Sequence, residues 1–178
     1  MELVQTSVLM AEESPTLAQQ AAQGDAAAFS VLVRRCEGLL FSIAASYFSQ
    51  PGDRADAVQE ALLRAWRKIS SLRQPQYFQT WLVRILINEC KSMRRRRQDL
   101  PLPDALPVYQ ESGPALDIRM ALASLDRKTR LAATLYYFGQ YSVSEISSLL
   151  RVPAGTVKSR LHRARIQLKE ELKDYDER

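Results

Sequence analysis

Residues 141–168 read YSVSEISSLLRVPAGTVKSRLHRARIQL, a pattern that predicts two helices joined by a tight turn. Ser142 or Ser144 can cap the first helix, and apolar residues then recur at helical spacing. The segment 151–155 interrupts this pattern, because its proline and glycine disfavour a helix interior. Thr156 is the predicted cap of the second helix.

The second predicted helix is amphipathic and basic. On a helical wheel, one narrow apolar stripe contains Val157, Leu161, Ala164 and Leu168. The other faces carry Thr156, Lys158, Ser159, Arg160, His162 and Arg163. A short helix, a turn and a basic amphipathic helix are typical of a helix-turn-helix, whose second helix enters the DNA major groove. The alternative is an ordinary core helix with a solvated basic face.

The whole composition favours a helical protein with a polyanionic partner. The chain has 178 residues and a net charge of +5, and no run alternates polar and apolar residues as a strand would. Cys36 and Cys90 have no metal-binding or redox spacing, so we expect reduced thiols. The N-terminus lacks the basic start of a signal peptide, and the longest uncharged stretch, 38–52, is too polar to span a bilayer. We therefore expect a cytoplasmic protein with no direct membrane insertion.

The chain divides into four predicted segments. Residues 1–15 form a flexible leader, and 16–97 form a helical domain of matching apolar stripes. In that domain Asp25 caps a long helix ended by Pro51-Gly52, and Asp53 caps the next helix. Residues 98–113 are rich in proline and acid and form an extended linker. Residues 114–178 form the helix-turn-helix domain. The predicted fold class is all-α, with two small helical domains.

The helix predicted for residues 53–69 has an unusual exposed face. One side presents apolar residues to the core, and the opposite side aligns Asp56, Gln59, Glu60, Leu63 and Arg67. Leu63 is an apolar residue in an acidic and amide stripe. An isolated exposed leucine is common, but among these neighbours it also suits the anchor of a protein interface with a basic partner.

The helix predicted from about Pro75 to Arg96 carries a basic face beside a tryptophan. That face contains Trp81, Arg84, Asn88, Lys91 and Arg95. Cations bind phosphates and aromatic rings stack on unpaired bases, so this combination favours contact with an unstacked nucleic-acid strand. The four arginines at the end of the helix also suit the negative end of its dipole, which is a purely structural explanation.

Three motifs together resemble the extracytoplasmic-function (ECF) group of bacterial RNA polymerase sigma factors. DRADAVQEALLRAW at 53–66 resembles the polymerase-binding region 2.2 of that family. FQTWLVRILINECK at 78–91 resembles its −10-element region, and GTVKSRLHRAR at 155–165 resembles its region 4.2 recognition helix. The resemblance covers about residues 16 to 173, in the order and spacing of the family.

The resemblance implies a protein that docks on core RNA polymerase and directs it to promoters. At the positions of region 2.2, the resemblance implies that four residues contact the clamp helices of the largest subunit: Asp56, Gln59, Glu60 and Leu63. The −10 positions imply that the basic face of the third helix opens and reads melted DNA, with residues 70–77 holding a flipped base. The −35 positions imply that Lys158, Ser159, His162 and Arg163 read duplex DNA. The family also implies an anti-sigma factor, and no catalytic residue.

Two other classes of protein remain as alternatives. A stand-alone helix-turn-helix regulator would bind its operator without polymerase, and the exposed acidic stripe disfavours it. A DNA-processing enzyme needs a metal cluster or a nucleophile with a base. The single histidine lies among arginines, and no carboxylate pair has ligand spacing, so the sequence predicts no cofactor, no metal site and no catalytic site.

Overall fold

Every regular element in the described part of the chain is helical. The computed structural model describes residues 15–97 and 122–176, with side chains up to residues 96 and 170. The linker and nearly all of the leader lie outside these ranges. The described residues form two compact units, one of residues 15–44 and 52–97, the other of residues 45–51 and 122–176. The predicted all-α, two-domain fold class is confirmed, while the exact boundaries stay a prediction.

The first unit contains four helices. They are α1 (residues 15–22), α2 (Ala26–Ala45), α3 (Pro51–Lys68) and α4 (Phe78–Arg97). Two 3₁₀ turns, Ile69–Ser71 and Pro75–Tyr77, lie between α3 and α4. Asp25 caps α2 as predicted, because its Oδ1 accepts hydrogen bonds from the amides of Ala27 and Ala28 at 2.8 and 3.0 Å.

The start of α3 differs from the sequence prediction. Pro51 begins this helix, and α2 has already ended at Ala45, whereas we expected Pro51-Gly52 to end α2 and Asp53 to cap α3. Proline fits the first turn of a helix because the amides there have no intrahelical acceptor. Asp53 therefore lies inside the first turn, where its carboxylate stabilises the positive end of the helix dipole.

Small side chains and aromatic rings form the core of the first unit. α3 buries Ala57, Ala61 and Ala65 almost completely, which allows neighbouring helices to approach closely. The Phe29 ring lies 5.1 Å from Trp66 and 6.1 Å from Phe78, centroid to centroid, and so joins α2 to α3 and α4. Long apolar side chains fill the remaining interior: Leu32, Leu40, Ile43, Leu82, Leu86 and Ile87.

The second unit is built on three helices. They are α5 (Arg127–Tyr137), α6 (Val143–Leu150) and α7 (Ala154–Asp176), and residues 122–124 are also helical. α5 and α6 both pack against α7 and against each other. Asp126 caps α5 with hydrogen bonds from the amides of Lys128 and Thr129. The α7 stripe is buried as predicted: Val157, Leu161 and Ala164 are at most 3% exposed.

The turn between α6 and α7 is shorter than the sequence predicted. Arg151 adopts a left-handed conformation (φ 56°, ψ 51°) that ends α6, and α7 starts at Ala154. The Pro153 carbonyl accepts the amides of Thr156 and Val157, so Pro153 occupies the cap position. The prediction that Thr156 caps the helix is therefore wrong. It failed because a main-chain acceptor can begin a helix without any capping side chain.

The corner between α5 and α6 requires a glycine. A Cβ atom at Gly139 would lie 2.7 Å from the Leu135 carbonyl oxygen and 2.7 Å from the Tyr141 ring. Tyr141 is buried, and its amide donates to that same carbonyl at 3.1 Å. Neither neighbour can move without breaking this corner.

We expect Gly139→Ala to lower the free energy of unfolding of the second unit by about 2 kcal/mol, the usual cost of overpacking. Urea denaturation of the full chain, followed by far-UV circular dichroism, measures this change. Gly155→Ala is the matched control, because a Cβ there meets no atom within 4 Å. It should leave stability unchanged or raise it by up to about 1 kcal/mol. Equal stability of both variants would contradict the assignment.

Candidate nucleic-acid and protein interfaces

The predicted stripe on α3 lies on its solvent face. Asp56, Gln59 and Glu60 are exposed, and the Leu63 side chain is 42% exposed although leucine is normally buried. The face of α3 opposite the stripe is the alanine-rich face in the core. The structure therefore brings all four predicted residues together on one accessible surface.

An apolar groove borders this stripe. It lies between α2 and α3, has a volume of about 490 Å³, and includes Leu62, Leu63 and Trp66 of α3. On the α2 side Phe41 is 39% exposed and Leu40 is buried. Sequence reasoning missed Phe41, although the signal was present. Phe41 follows Arg34 and Glu37 at helical spacing, and so shares an otherwise charged face.

A smaller polar pocket lies on the other side of the stripe, toward the end of α4. It has a volume of about 420 Å³ and is lined by Asp56, Gln59, Glu60, Met93 and Arg96. Residues that carry two carboxylates, an amide and a guanidinium thus line the same pocket. This pocket places the acidic stripe directly beside the basic C-terminal turns of α4.

The predicted basic face of α4 is accessible, although not uniformly. Arg84, Asn88 and Arg95 are exposed, whereas Trp81 and Lys91 are half-buried. The Trp81 ring lies 6.0 Å from the Phe78 ring, which is itself buried in the core. The indole is therefore packed beside a core ring and remains partly accessible to solvent. Tyr77, at the end of the preceding 3₁₀ turn, is 52% exposed and adds a second ring that the sequence reasoning did not single out.

A buried carboxylate on α4 was also missed. The Glu89 side chain is 1% exposed and lies 3.0 Å from Arg96 Nη2 and 2.9 Å from Arg64 Nε. Acidic residues are rarely buried unless they are paired. The only signal in the sequence was an acid at a position on the core side of the wheel, in a helix that ends in arginines.

The predicted DNA-reading residues of α7 are placed on its outer faces. Lys158, Ser159, His162 and Arg163 are exposed, and Thr156 and Arg160 are half-buried. The stripe opposite is packed against α5 and α6, which fixes the rotation of α7 about its axis. Ile166 is 46% exposed and extends this surface by one apolar residue.

A capping box fixes the start of the helix-turn-helix. The Ser142 hydroxyl accepts from the Glu145 amide, and the Glu145 carboxylate accepts from the Ser142 amide at 2.8 Å. This confirms Ser142 as the cap. The hydroxyl and amide of Ser142 hold the pKa of Glu145 below its ordinary value, because both donate to the charged carboxylate.

Asp126 lies close enough to α7 to sense the charge of Arg163. Burial acts to raise the pKa of the Asp126 carboxyl, but hydrogen bonds from Thr129 and Lys128 and the Arg163 charge bring it below its ordinary value. The cap of α5 therefore also attracts an arginine of α7. Arg163 remains exposed despite this attraction.

The described residues offer little for covalent or metal chemistry. Burial raises the pKa of the Cys36 thiol to about 11, and burial together with the Glu89 charge raises that of Cys90 to about 12, so both thiols stay protonated near neutral pH. Within residues 15–96 and 122–170, no three His, Cys, Asp or Glu side chains could hold a metal ion. No helix in the described ranges has the length and hydropathy needed to cross a bilayer.

Comparison with known proteins agrees with this arrangement of helices. Residues 32–99 match the family described as Sigma-70 region 2, and residues 115–168 match the one described as Sigma-70, region 4. The chain is 34% identical to the ECF RNA polymerase sigma-E factor of Escherichia coli K12, and the match covers 84% of this chain and 88% of that relative. This chain belongs to the ECF RNA polymerase sigma factors.

Other relatives of this sigma factor give the same result. It is 34% identical to the ECF RNA polymerase sigma factor SigM of Mycobacterium tuberculosis, over 82% of this chain and 77% of that one. The sigma factor RpoE of Bartonella quintana, solved with the anti-sigma factor NepR, has a TM-score of 0.67 and 30% identity and covers 82% of this chain and 96% of its own. CnrH, solved with the cytosolic domain of CnrY, has a TM-score of 0.65 and 26% identity, covering 90% and 97%.

The family membership confirms the predicted function at the level of the whole protein. This sigma factor directs promoter-specific transcription initiation through a region 2 and a region 4. A stand-alone helix-turn-helix regulator does not account for the region 2 match, since residues 32–99 would then have no explanation.

Proposed function

We propose that the stripe of Asp56, Gln59, Glu60 and Leu63 binds the largest subunit of core RNA polymerase. The main support for this assignment is Leu63. It is an exposed leucine at the edge of an apolar groove, surrounded by acidic and amide side chains, and so can act as the anchor of an interface. Polar contacts around an apolar centre exclude water from it. A basic polymerase surface would complement the two carboxylates.

We propose that α4 binds the melted −10 element. Arg84, Lys91 and Arg95 would bind phosphates, and Asn88 would contact base edges. The half-buried Trp81 ring supports this role, since a ring packed beside the buried Phe78 ring can stack on an unpaired base with little loss of side-chain entropy. Tyr77 and the 3₁₀ turns before α4 supply a surface for a base that has left the stack.

The outer face of α7 would read the −35 element in the major groove. Lys158, Ser159, His162 and Arg163 are the proposed base-reading side chains, with Thr156 and Arg160 at the flanks. The packing of α7 supports this assignment, because it leaves these residues exposed on a helix whose N-terminal turns are not covered within the second unit.

The proposed mechanism consists of binding, without a catalytic step. Duplex contacts by α7 anchor the promoter, and capture of unstacked bases by α4 lowers the free energy of strand opening. The phosphate contacts make affinity strongly dependent on salt, while base contacts set the sequence preference. The two chemically inert thiols are consistent with a protein that acts in the cytoplasm in reduced form.

An anti-sigma factor is a further proposed partner. RpoE of Bartonella quintana is solved with one, NepR. The apolar groove between α2 and α3 supports the proposal, since an apolar helix could occupy it and cover Leu63. Such a partner would compete directly with polymerase.

Reconstituted transcription tests the proposed function. Purified chain is added to core RNA polymerase, and start sites are mapped across genomic DNA. We expect a set of starts that share −35 and −10 sequences and are absent with core polymerase alone. No new start sites at low ionic strength, without an inhibitor, would overturn the proposal.

We expect Leu63→Ala to weaken binding to core polymerase by at least about fivefold, corresponding to the loss of one interface anchor worth 1 kcal/mol or more. Because the side chain is exposed, the fold should be unaffected. Titration of labelled chain against core polymerase measures the loss. Binding of the same variant to an isolated −35 duplex is the control, and equal losses in both assays would contradict the interface.

We expect Arg163→Ala to relax the sequence preference at one base pair of the −35 element, at a cost of about 1–3 kcal/mol for a lost bidentate contact. Binding to a set of duplexes that each change one base pair measures this effect. Arg165→Ala is the matched control on the same helix and should weaken all duplexes alike. A uniform loss for Arg163→Ala would show a phosphate contact instead.

A further inference from the structure

Glu89 is a buried acid that holds two arginines from different helices. Its side chain is 1% exposed, while Arg64 of α3 and Arg96 of α4 are 50% and 63% exposed. Arg96 Nη2 donates a hydrogen bond to Glu89 Oε1 at 3.0 Å. Arg64 Nε lies 2.9 Å from Oε2 but is not aligned for a hydrogen bond, so charge attraction holds it. The two guanidinium groups are thus the counter-charges of one buried carboxylate.

Both arginines also lie near the acidic side chains of the proposed polymerase interface. Arg96 lines the polar pocket together with Asp56 and Glu60. Arg64 follows Glu60 by four residues in α3, the spacing at which helix side chains pair. Yet among the described side chains neither Asp56 nor Glu60 forms an ion pair. Each arginine therefore has an exposed carboxylate nearby with which it could pair, but it pairs with Glu89 instead.

The difference in burial explains this choice. A buried carboxylate without a counter-charge costs several kcal/mol, because it has lost its hydration. Asp56 and Glu60 are hydrated at the surface, where an ion pair contributes about 0–1 kcal/mol. Pairing both arginines with Glu89 is therefore the state of lower free energy, and the surface carboxylates remain available.

We propose that Glu89 is a positioning residue for the polymerase interface. By holding Arg64 and Arg96, it keeps these guanidinium groups from neutralising Glu60 and Asp56, and so preserves an acidic surface for a basic partner. This inference depends on the proposed role of the α3 stripe. It assigns to a residue of the −10-binding helix a function in binding polymerase.

Glu89→Gln in the full chain tests the proposal. Glutamine keeps the volume of the side chain but no longer retains the two arginines, which should then pair with Glu60 and Asp56. We expect binding to core polymerase to weaken about tenfold at low ionic strength, the sum of two surface pairs formed inside the chain. The deficit should shrink as salt screens those pairs. Binding of an isolated −35 duplex should not change.

A pair of triple variants separates this role from a structural one. Glu89→Gln with Arg64→Gln and Arg96→Gln removes the competing charges and should restore polymerase binding to within about twofold of the wild type. Glu89→Gln with Lys68→Gln and Arg94→Gln is the matched control, because Lys68 is exposed in the last turn of α3 and lies off the stripe. It makes the same charge change on α3 and α4 and should stay weak. If glutamine at position 89 prevents folding, Glu89→Met replaces it in all variants, because an apolar side chain suits the buried position.

The outcomes distinguish this inference from the proposed function. If the wild type does not bind core polymerase, the proposed function and the inference are both wrong. If the wild type binds and Glu89→Gln binds equally well, the inference alone is wrong. The inference is also wrong if both triple variants are equally weak, since Glu89 would then act only through the packing of α3 and α4.

Discussion

The close packing of the alanine-rich face of α3 is the constraint on which the first unit depends. Ala57, Ala61 and Ala65 have no side chain beyond Cβ, so neighbouring helices can approach this face and bury it completely. The rotation of α3 is thereby fixed, and the opposite face must point to solvent. A leucine and two carboxylates are exposed together on one surface for that reason.

In the second unit, backbone hydrogen bonds at the helix ends fix the positions of α6 and α7. A capping box at Ser142 begins α6, a left-handed Arg151 ends it, and the Pro153 carbonyl begins α7. Each of these features provides a hydrogen-bond partner for main-chain groups that would otherwise have none at a helix end. Together with the buried stripe of α7, they set the angle and rotation of the helix that carries the basic side chains. The proposed DNA-reading face is therefore held by main-chain hydrogen bonds and by packing of the opposite stripe, and not by its own exposed side chains.

In this sigma factor, burial as well as sequence decides which charged side chains form ion pairs. The chain has a net charge of +5, and its acidic stripe lies beside a helix that ends in four arginines. Opposite charges this close would neutralise one another on a fully hydrated surface. The buried Glu89 takes up two of the neighbouring guanidinium groups, and a basic and an acidic surface can then coexist on adjacent helices. The proposed polymerase-binding and DNA-binding surfaces are thus connected through the ion pairs of Glu89.

The sequence by itself determined the helices, their apolar stripes and the positions of the three motifs. Helical periodicity and caps such as Asp25 and Ser142 are local properties that can be recognised along the chain. Only the tertiary structure decided which residues meet across helices. The groove beside Phe41 and the pairing of Glu89 with Arg64 both depend on contacts between different helices. Periodicity gives the direction of a side chain from its own helix axis, but not the partner that it finds there.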